Sequence, residues 1–372
     1  MPAEYDLSGS IALVTGAGGD IGRTVAVRLA ASGAAVILTD LEQAAAGLER
    51  TRAACASTGA ESRVLVAPAD VTDAASVAAC FDAAQQRFGV PNLVFNNAGV
   101  QGELLPLQDY PVEDFAFVMN VNVNGIFNVL LEATRRMRGA DSGGAIVNSA
   151  SMAGVEGAAN MPAYSASKGA VMSLTRSASK DLAPLGIRVN AVSPAFIGEG
   201  LMWDRQVERQ ARANTQYYST DPAVVAEEMV GAVPIRRTGT LAEVAATVIW
   251  LLSDESTYIN GQNVIISGGI SVSSRPVRLL LLPGGEASME TARPHRPAAP
   301  LRKPIRRPRP PRRQLGVATV DGRLESTARW QWPIPVTALE LASGAAAAVV
   351  VAPTGRVFGR VREHDLCRRP IG

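Results

Sequence analysis

Short apolar runs alternate with longer amphipathic stretches over the first 269 of the 372 residues. The runs fall at 11–14, 35–38, 64–66, 93–95, 146–148, 188–192 and 263–266. They are largely apolar throughout rather than alternating, the pattern of strands covered on both faces. Helical patterns at 22–32, 41–59, 74–88, 111–137, 165–183 and 241–252 separate them. A strand–helix order repeated this often predicts an α/β fold, a three-layer, doubly wound parallel sheet of the Rossmann type with right-handed crossovers. The stretch 195–234 carries no strand pattern. It is expected to form a helical flap over the carboxyl edge of the sheet, where such folds bind ligands.

Charge divides the chain. Residues 1–269 hold 18 basic and 27 acidic side chains, whereas 270–372 hold 18 basic and 7 acidic. A shift this strong marks a boundary near residue 270. Residues 1–269 are read as one domain. Residues 270–334 contain an Arg/Pro-rich run at 293–313. Like charges repel and proline removes backbone donors, so a disordered basic linker is expected there. No aromatic residue interleaves with the arginines, which favours a solvated linker or an extension foreign to the fold over a nucleic-acid contact. Residues 335–372 form a small segment. Its pattern (strand at 347–351, turn at 355–356, strand at 357–359, helix start at 365–366) is similar to half of a CBS-type repeat.

The three cysteines, Cys55, Cys80 and Cys367, are odd in number and widely spaced, so neither a disulfide framework nor a paired-cysteine metal site is read. Both histidines, His295 and His364, lie beyond residue 269. Their position excludes a Ser-His-Asp triad and a histidine-ligated zinc in the main domain, and no metal is expected. The N-terminus opens acidic, without a basic and apolar leader, and no apolar run reaches about 18 residues. A cytoplasmic protein without membrane association is expected.

At the nucleotide end, Thr15-Gly16-Ala17-Gly18-Gly19-Asp20-Ile21-Gly22 follows the first strand and opens a helix. Glycines there allow a tight turn and let backbone N–H groups approach a pyrophosphate at the helix N-terminus. Gly16, Asp20, Ile21 and Gly22 are therefore candidate cofactor contacts. Asp40 ends the second strand 18 residues beyond Gly22, near the usual offset for the acid that binds the adenosine ribose. Its carboxylate accepts both ribose hydroxyls and repels a 2′-phosphate, with Leu41 beside it. No Arg or Lys occurs from 39 to 49 to neutralise such a phosphate, so NAD is expected rather than NADP. Asp70 and Val71, after the third strand, are placed for the adenine edge. Asn97, Ala98 and Gly99, after the fourth, are small or amide-bearing where a cofactor backbone must pass.

At the catalytic end, Tyr164 precedes Lys168 by four residues in Tyr-Ser-Ala-Ser-Lys, one turn apart on one helix face. A phenol has a reference pKa of about 10, and a fixed ammonium beside it favours the phenolate. Ser151 follows the fifth strand and can donate to a substrate oxygen while Tyr164 exchanges a proton with it. Asn122 lies mid-helix and is a candidate for a water relay to Lys168, a role for which Asn120, Asn124 and Asn128 compete.

The set TGAGGDIG, NNAG, Asn122, Ser151 and YSASK resembles the short-chain dehydrogenase/reductase family over residues 7–269. Within it, the stretches NNAGVQG with LQDYP, SASMAGVEGAANMPAY, and the flap runs MWDRQVERQ, QYYSTDP and VPIRR resemble NAD-dependent xylitol dehydrogenases. The resemblance implies Tyr164 as acid/base, Ser151 as substrate-oxygen stabiliser, Lys168 as pKa-lowering group and holder of the nicotinamide ribose, and Asn122 as the water-relay residue. It places Pro194 and Ile197 at the nicotinamide amide and implies a homo-oligomer, commonly a tetramer. The sequence departs from the family at Asp20 and Ala195, where glycine is usual, and at Glu199, where threonine often contacts the cofactor. A polyol substrate needs polar groups near Tyr164. Gln101, Glu156 and Asn160 are candidates, with Met202 and Trp203 as flap residues closing over it. The expected reaction interconverts a secondary alcohol, such as the polyol xylitol, and its ketone with NAD. The rivals are reduction of cyclic or aliphatic ketones at the same site and a nucleotide-sensing or nucleic-acid-binding protein that uses the basic tail.

Overall fold

The computed structural model describes residues 5–198 and 200–272, with five short strands beyond them. The chain divides into two compact units, Met1–Leu281 and Leu282–Gly372. The first unit runs β1 (Ile11–Thr15), α1 (Asp20–Ala31), β2 (Ala35–Thr39), α2 (Ala45–Cys55), β3 (Val64–Val66), α3 (Ala74–Arg87), β4 (Leu93–Asn96), α4 (Val112–Met119), α5 (Ile126–Ala140), β5 (Gly144–Ser149), α6 (Met152–Glu156), α7 (Pro162–Leu182), β6 (Ile187–Pro194), α8 (Leu201–Ala213), α9 (Pro222–Ala232), α10 (Leu241–Leu252) and β7 (Asn263–Ile266).

The seven strands form one parallel sheet in the order β3-β2-β1-β4-β5-β6-β7. Both faces are covered, as the unbroken apolar runs require. On one face, Leu29 of α1, Leu48 of α2 and Val248 of α10 pack with Val14, Leu38 and Phe95. On the other, Phe81 of α3, Leu130 of α5 and Leu174 of α7 pack with Leu13, Ile37 and Val94. The strand order reverses direction between β1 and β4, which opens a crevice at the carboxyl ends of these two strands.

The expected elements recur with local differences. The helix expected at 111–137 is interrupted by a π-helical turn, Asn120–Gly125, between α4 and α5. Such turns bulge the ladder and redirect side chains, and this one carries Asn122. Helix α7 starts earlier than expected, at Pro162, because a proline in the first turn has no helical N–H to lose. Asp20 is the first residue of α1 and follows Gly19, which is extended, so its replacement of glycine needs no left-handed backbone. The flap consists of α8 and α9, with a small core of Val207, Ala211, Val225 and Met229. The segment Val112–Ala140 is long and apolar enough to cross a bilayer by length and composition. Here it packs against α3 and α7 and brings Asn122 toward α7.

In the second unit, Ala318–Val320 pairs antiparallel with Arg323–Glu325, and Ala347–Val351 pairs antiparallel with both Leu339–Glu340 and Val357–Arg362. The Arg/Pro-rich run at 293–313, the expected helix start at 365–366, Cys367, both histidines and Glu199 lie outside the described residues.

Candidate active site

One cavity of about 910 Å³ runs along the carboxyl edge of the sheet. Its nucleotide end is built largely from backbone. Gly16 has φ +63, and a Cβ there would meet Asn97 Nδ2 at 2.9 Å and Ala98 Cα at 3.1 Å. A Cβ on Gly22 would stand 2.2 Å from the Gly16 carbonyl oxygen. The turn and the start of α1 can therefore close together only because these two positions are glycine. Thr15 crosslinks the crevice: its hydroxyl accepts from the N–H groups of Asn97 (2.8 Å) and Ala98 (2.9 Å), and its carbonyl accepts from Asn97 Nδ2 (3.1 Å). Asp40 is fixed where β2 ends, accepting from Gly18 N at 3.0 Å and Leu41 N at 2.9 Å. Asp20 pairs with Arg23 at 2.6 Å. Asp70 closes a local turn by accepting from Thr72 N and Oγ1. Asp20, Ile21, Leu41, Asp70, Val71, Ala98 and Gly99 line the cavity with these groups, and Pro194 and Ile197 line it where β6 ends.

This geometry fits a dinucleotide. It offers a glycine cradle at a helix N-terminus, a carboxylate at the adenosine position and a continuous path past Gly99 to Pro194. The cation-free stretch 39–49 ends at Arg50 of α2, which lines the same cavity as Asp40, as does Arg23.

The catalytic end depends on close packing of α6 on α7. Ser151 caps α6, accepting from Ala153 N at 3.2 Å, and is 9% exposed. A Cβ on Gly154 would meet Lys168 backbone carbon at 2.6 Å. Glycine there lets the short helix lie directly on α7, so that Ser151 reaches Tyr164. Burial pushes the Tyr164 phenol above its ordinary value of 10, while the hydrogen bond from Ser151 pulls it back. Lys168 Nζ donates to the Ser149 carbonyl at 2.7 Å and lies 5.6 Å from the centre of the Tyr164 ring. Burial pushes Lys168 down to about 8. An ammonium beside the ring is expected to lower the phenol, but desolvation is the largest influence on Tyr164 and raises it.

Asn122 is fully buried behind the cavity and does not line it. Its Oδ1 accepts from Val100 N at 2.8 Å, and its Nδ2 donates to Val100 O at 2.8 Å and Ser167 Oγ at 3.0 Å. Ser167 in turn donates to the Tyr164 carbonyl at 2.8 Å. The Asn122 side chain thus clamps the loop after β4 to α7. The neighbouring Asn124 instead bonds Asn120, and Asn128 bonds the Val71 carbonyl.

Among the substrate candidates, Gln101, Glu156, Met202 and Trp203 line the cavity, with Trp203 stacked obliquely 6.1 Å from Phe196. Asn160 does not line it. Asn160 sits at φ 64 with its Nδ2 donating to Gln210 Oε1 and Thr215 Oγ1 and its carbonyl accepting from Leu105 N. It anchors the flap and so has no amide donor to spare for a substrate. Phe117, Gln206, Gln210 and Tyr218 also lie on the cavity wall. No motif marks them, because α4, α8 and the bend after α8 contribute them by facing rather than by spacing.

Residues 16–271 match the family model described as enoyl-(acyl carrier protein) reductase. With the sheet order, the glycine turn and the Ser151–Tyr164–Lys168 geometry, this decides the family. The chain is a short-chain dehydrogenase/reductase. It is 38% identical to levodione reductase of Leifsonia aquatica over 263 residues, covering 71% of this chain and 94% of the relative. It is 33% identical to cyclohexanol dehydrogenase of an Acinetobacter strain, covering 69% of this chain and 93% of the relative. Among solved structures, an NAD+-bound xylitol dehydrogenase shares 47% identity at a TM-score of 0.69, covering 71% of this chain and all of that one. As a short-chain dehydrogenase/reductase, the chain carries this cavity among the described residues of the first unit.

Proposed function

We propose that this protein is an NAD-dependent dehydrogenase that interconverts a secondary alcohol, in particular a polyol such as xylitol, and its ketone. The observation that carries this reading is the placement of Tyr164, Ser151 and Lys168 on the same cavity as the glycine cradle. Bound there, NAD supplies the acceptor for the hydride lost from the carbinol carbon. Tyr164, as phenolate, takes the hydroxyl proton at its oxygen. Ser151 donates to the same substrate oxygen and steadies the charge that develops on it. Lys168, held by the Ser149 carbonyl, orients the ribose and keeps positive charge near the phenol. Pro194 and Ile197 support the nicotinamide amide, Asn122 positions the β4 loop against α7, and Asp40 selects the unphosphorylated adenosine ribose. The likeness to an NAD+-bound xylitol dehydrogenase supports both the cofactor and the polyol.

Polar groups at the substrate end, Gln101, Glu156, Gln206 and Gln210, support a hydroxylated substrate. The apolar wall of Phe117, Met161, Met202 and Trp203 favours a second reading, oxidation or reduction at a cyclic or aliphatic carbon, as the likeness to levodione reductase and cyclohexanol dehydrogenase suggests. Initial rates with NAD and NADP on xylitol, other polyols and cyclohexanol separate the two. Turnover of polyols with NAD is expected. Turnover confined to cyclic alcohols would replace the first reading with the second. The exposed aromatics Phe115, Phe117 and Phe127 along α4 and α5 support a homo-oligomer, proposed as a tetramer acting in the cytoplasm.

A further inference from the structure

We infer that Gln210 is a specificity-determining residue, whose side-chain amide donates to an oxygen of the substrate remote from the reacting carbinol. This rests on the polyol reading above and names a group that recognises such a substrate.

Three observations carry it. First, Gln210 is only 2% exposed, yet it lines the cavity. A buried amide needs its donors and acceptors met. Second, its oxygen is already used: Oε1 accepts from Asn160 Nδ2 at 3.2 Å. The same Asn160 nitrogen donates to Thr215 Oγ1 at 3.0 Å. With Oε1 turned to Asn160, Nε2 has no protein partner among the described residues. Third, the location is the substrate end. Asn160 lies one turn before Tyr164, at the entry to α7, and Leu105 N binds its carbonyl. The preceding flap residue, Arg209, donates to the Gly102 carbonyl at 2.8 Å, next to Gln101. The turn of α8 that carries Gln210 is therefore tied to both walls flanking the reacting groups, away from Asp40 and the adenosine end.

A donor held at one place on the cavity wall discriminates between substrates. One that brings an acceptor oxygen to it gains a hydrogen bond, and one that does not leaves the donor unmet. A polyol has hydroxyl oxygens beyond its reacting carbon, whereas a monohydric alcohol has none. Asn160, at first sight a substrate ligand, then acts as the residue that orients Gln210.

The test compares xylitol with 2-butanol as substrates for the full chain with NAD. The variants are Gln210→Glu, which still accepts from Asn160 but cannot donate, and Gln210→Leu, which does neither. NAD affinity by fluorescence titration verifies that each variant is folded. The ratio of kcat/KM for xylitol to that for 2-butanol is expected to fall about tenfold or more in both variants, mainly through KM for xylitol. An unchanged ratio in Gln210→Glu, or equal losses on both substrates, would overturn the inference and leave Gln210 as a flap anchor. A parent enzyme that oxidises 2-butanol but no polyol would overturn the polyol reading itself, and this inference with it.

Discussion

The two ends of the cavity are built on different principles. The nucleotide end is made of backbone and sheet edge: Gly16 and Gly22 in near contact, the Thr15 hydroxyl bridging β1 to β4, and Asp40 pinned by two N–H groups. The substrate end is made of side chains from a two-helix flap with its own small core, tied down by Asn160 and Arg209. The first leaves little freedom in residue type. The second keeps its shape while its facing residues change, so one scaffold can accept different alcohols.

Between the two ends, the largest effect on binding tests the rigid one. In Gly22→Val, the new side chain starts 2.2 Å from the Gly16 carbonyl oxygen, so the turn must open. NAD affinity is expected to fall about a hundredfold or more, because the cradle no longer closes on a pyrophosphate. Fluorescence titration checks this, and normal binding would show that the two ends are equally tolerant. Asp40→Ala has a smaller effect on the same wall. Loss of charge-assisted bonds to the ribose is expected to weaken NAD about tenfold and to narrow its advantage over NADP, with Arg50 on the same cavity. The smallest effect belongs to the flap. In Trp203→Ala, the Phe196 contact disappears, and KM for the alcohol is expected to rise severalfold with NAD affinity within about twofold. A large loss of NAD affinity would mean that the flap also shapes the nucleotide end.

The same division explains what the sequence made legible. All seven strands were readable as near-continuous apolar runs, because a doubly covered parallel sheet leaves no polar face to confuse the pattern. The glycine turn and the Tyr164–Lys168 pair were readable because short spacing along the chain delivers their geometry, and Asp40 and Ser151 because each stands at the end of a legible strand. Three features were not. The π-turn at Asn120–Gly125 arises from packing, since nothing in Asn-Val-Asn-Val-Asn-Gly distinguishes it from an ordinary helix. Asn160 lies next to the catalytic helix, but its amide is taken by Gln210 and Thr215, about 50 residues away in sequence. Gln210 looked like any polar residue of an amphipathic flap helix, and only the fold turns it toward the cavity. The direction of the Tyr164 shift is likewise not legible, because sequence shows the neighbouring cation but not the burial of the phenol.

That shift sets up the most direct measurement, the pH dependence of alcohol oxidation in the parent and in Tyr164→Phe. The phenol's folded value is raised, so at neutral pH most of it is protonated and little base is available for oxidation. Parent kcat/KM for oxidation is therefore expected to climb from neutral into alkaline pH, while ketone reduction, which needs the protonated form, falls over the same range. Tyr164→Phe is expected to lose about a hundredfold to ten-thousandfold in oxidation rate and to show no such climb, with NAD still bound. A phenylalanine variant that oxidises the alcohol as fast as the parent, along the same pH curve, would contradict the assignment of proton transfer to this residue.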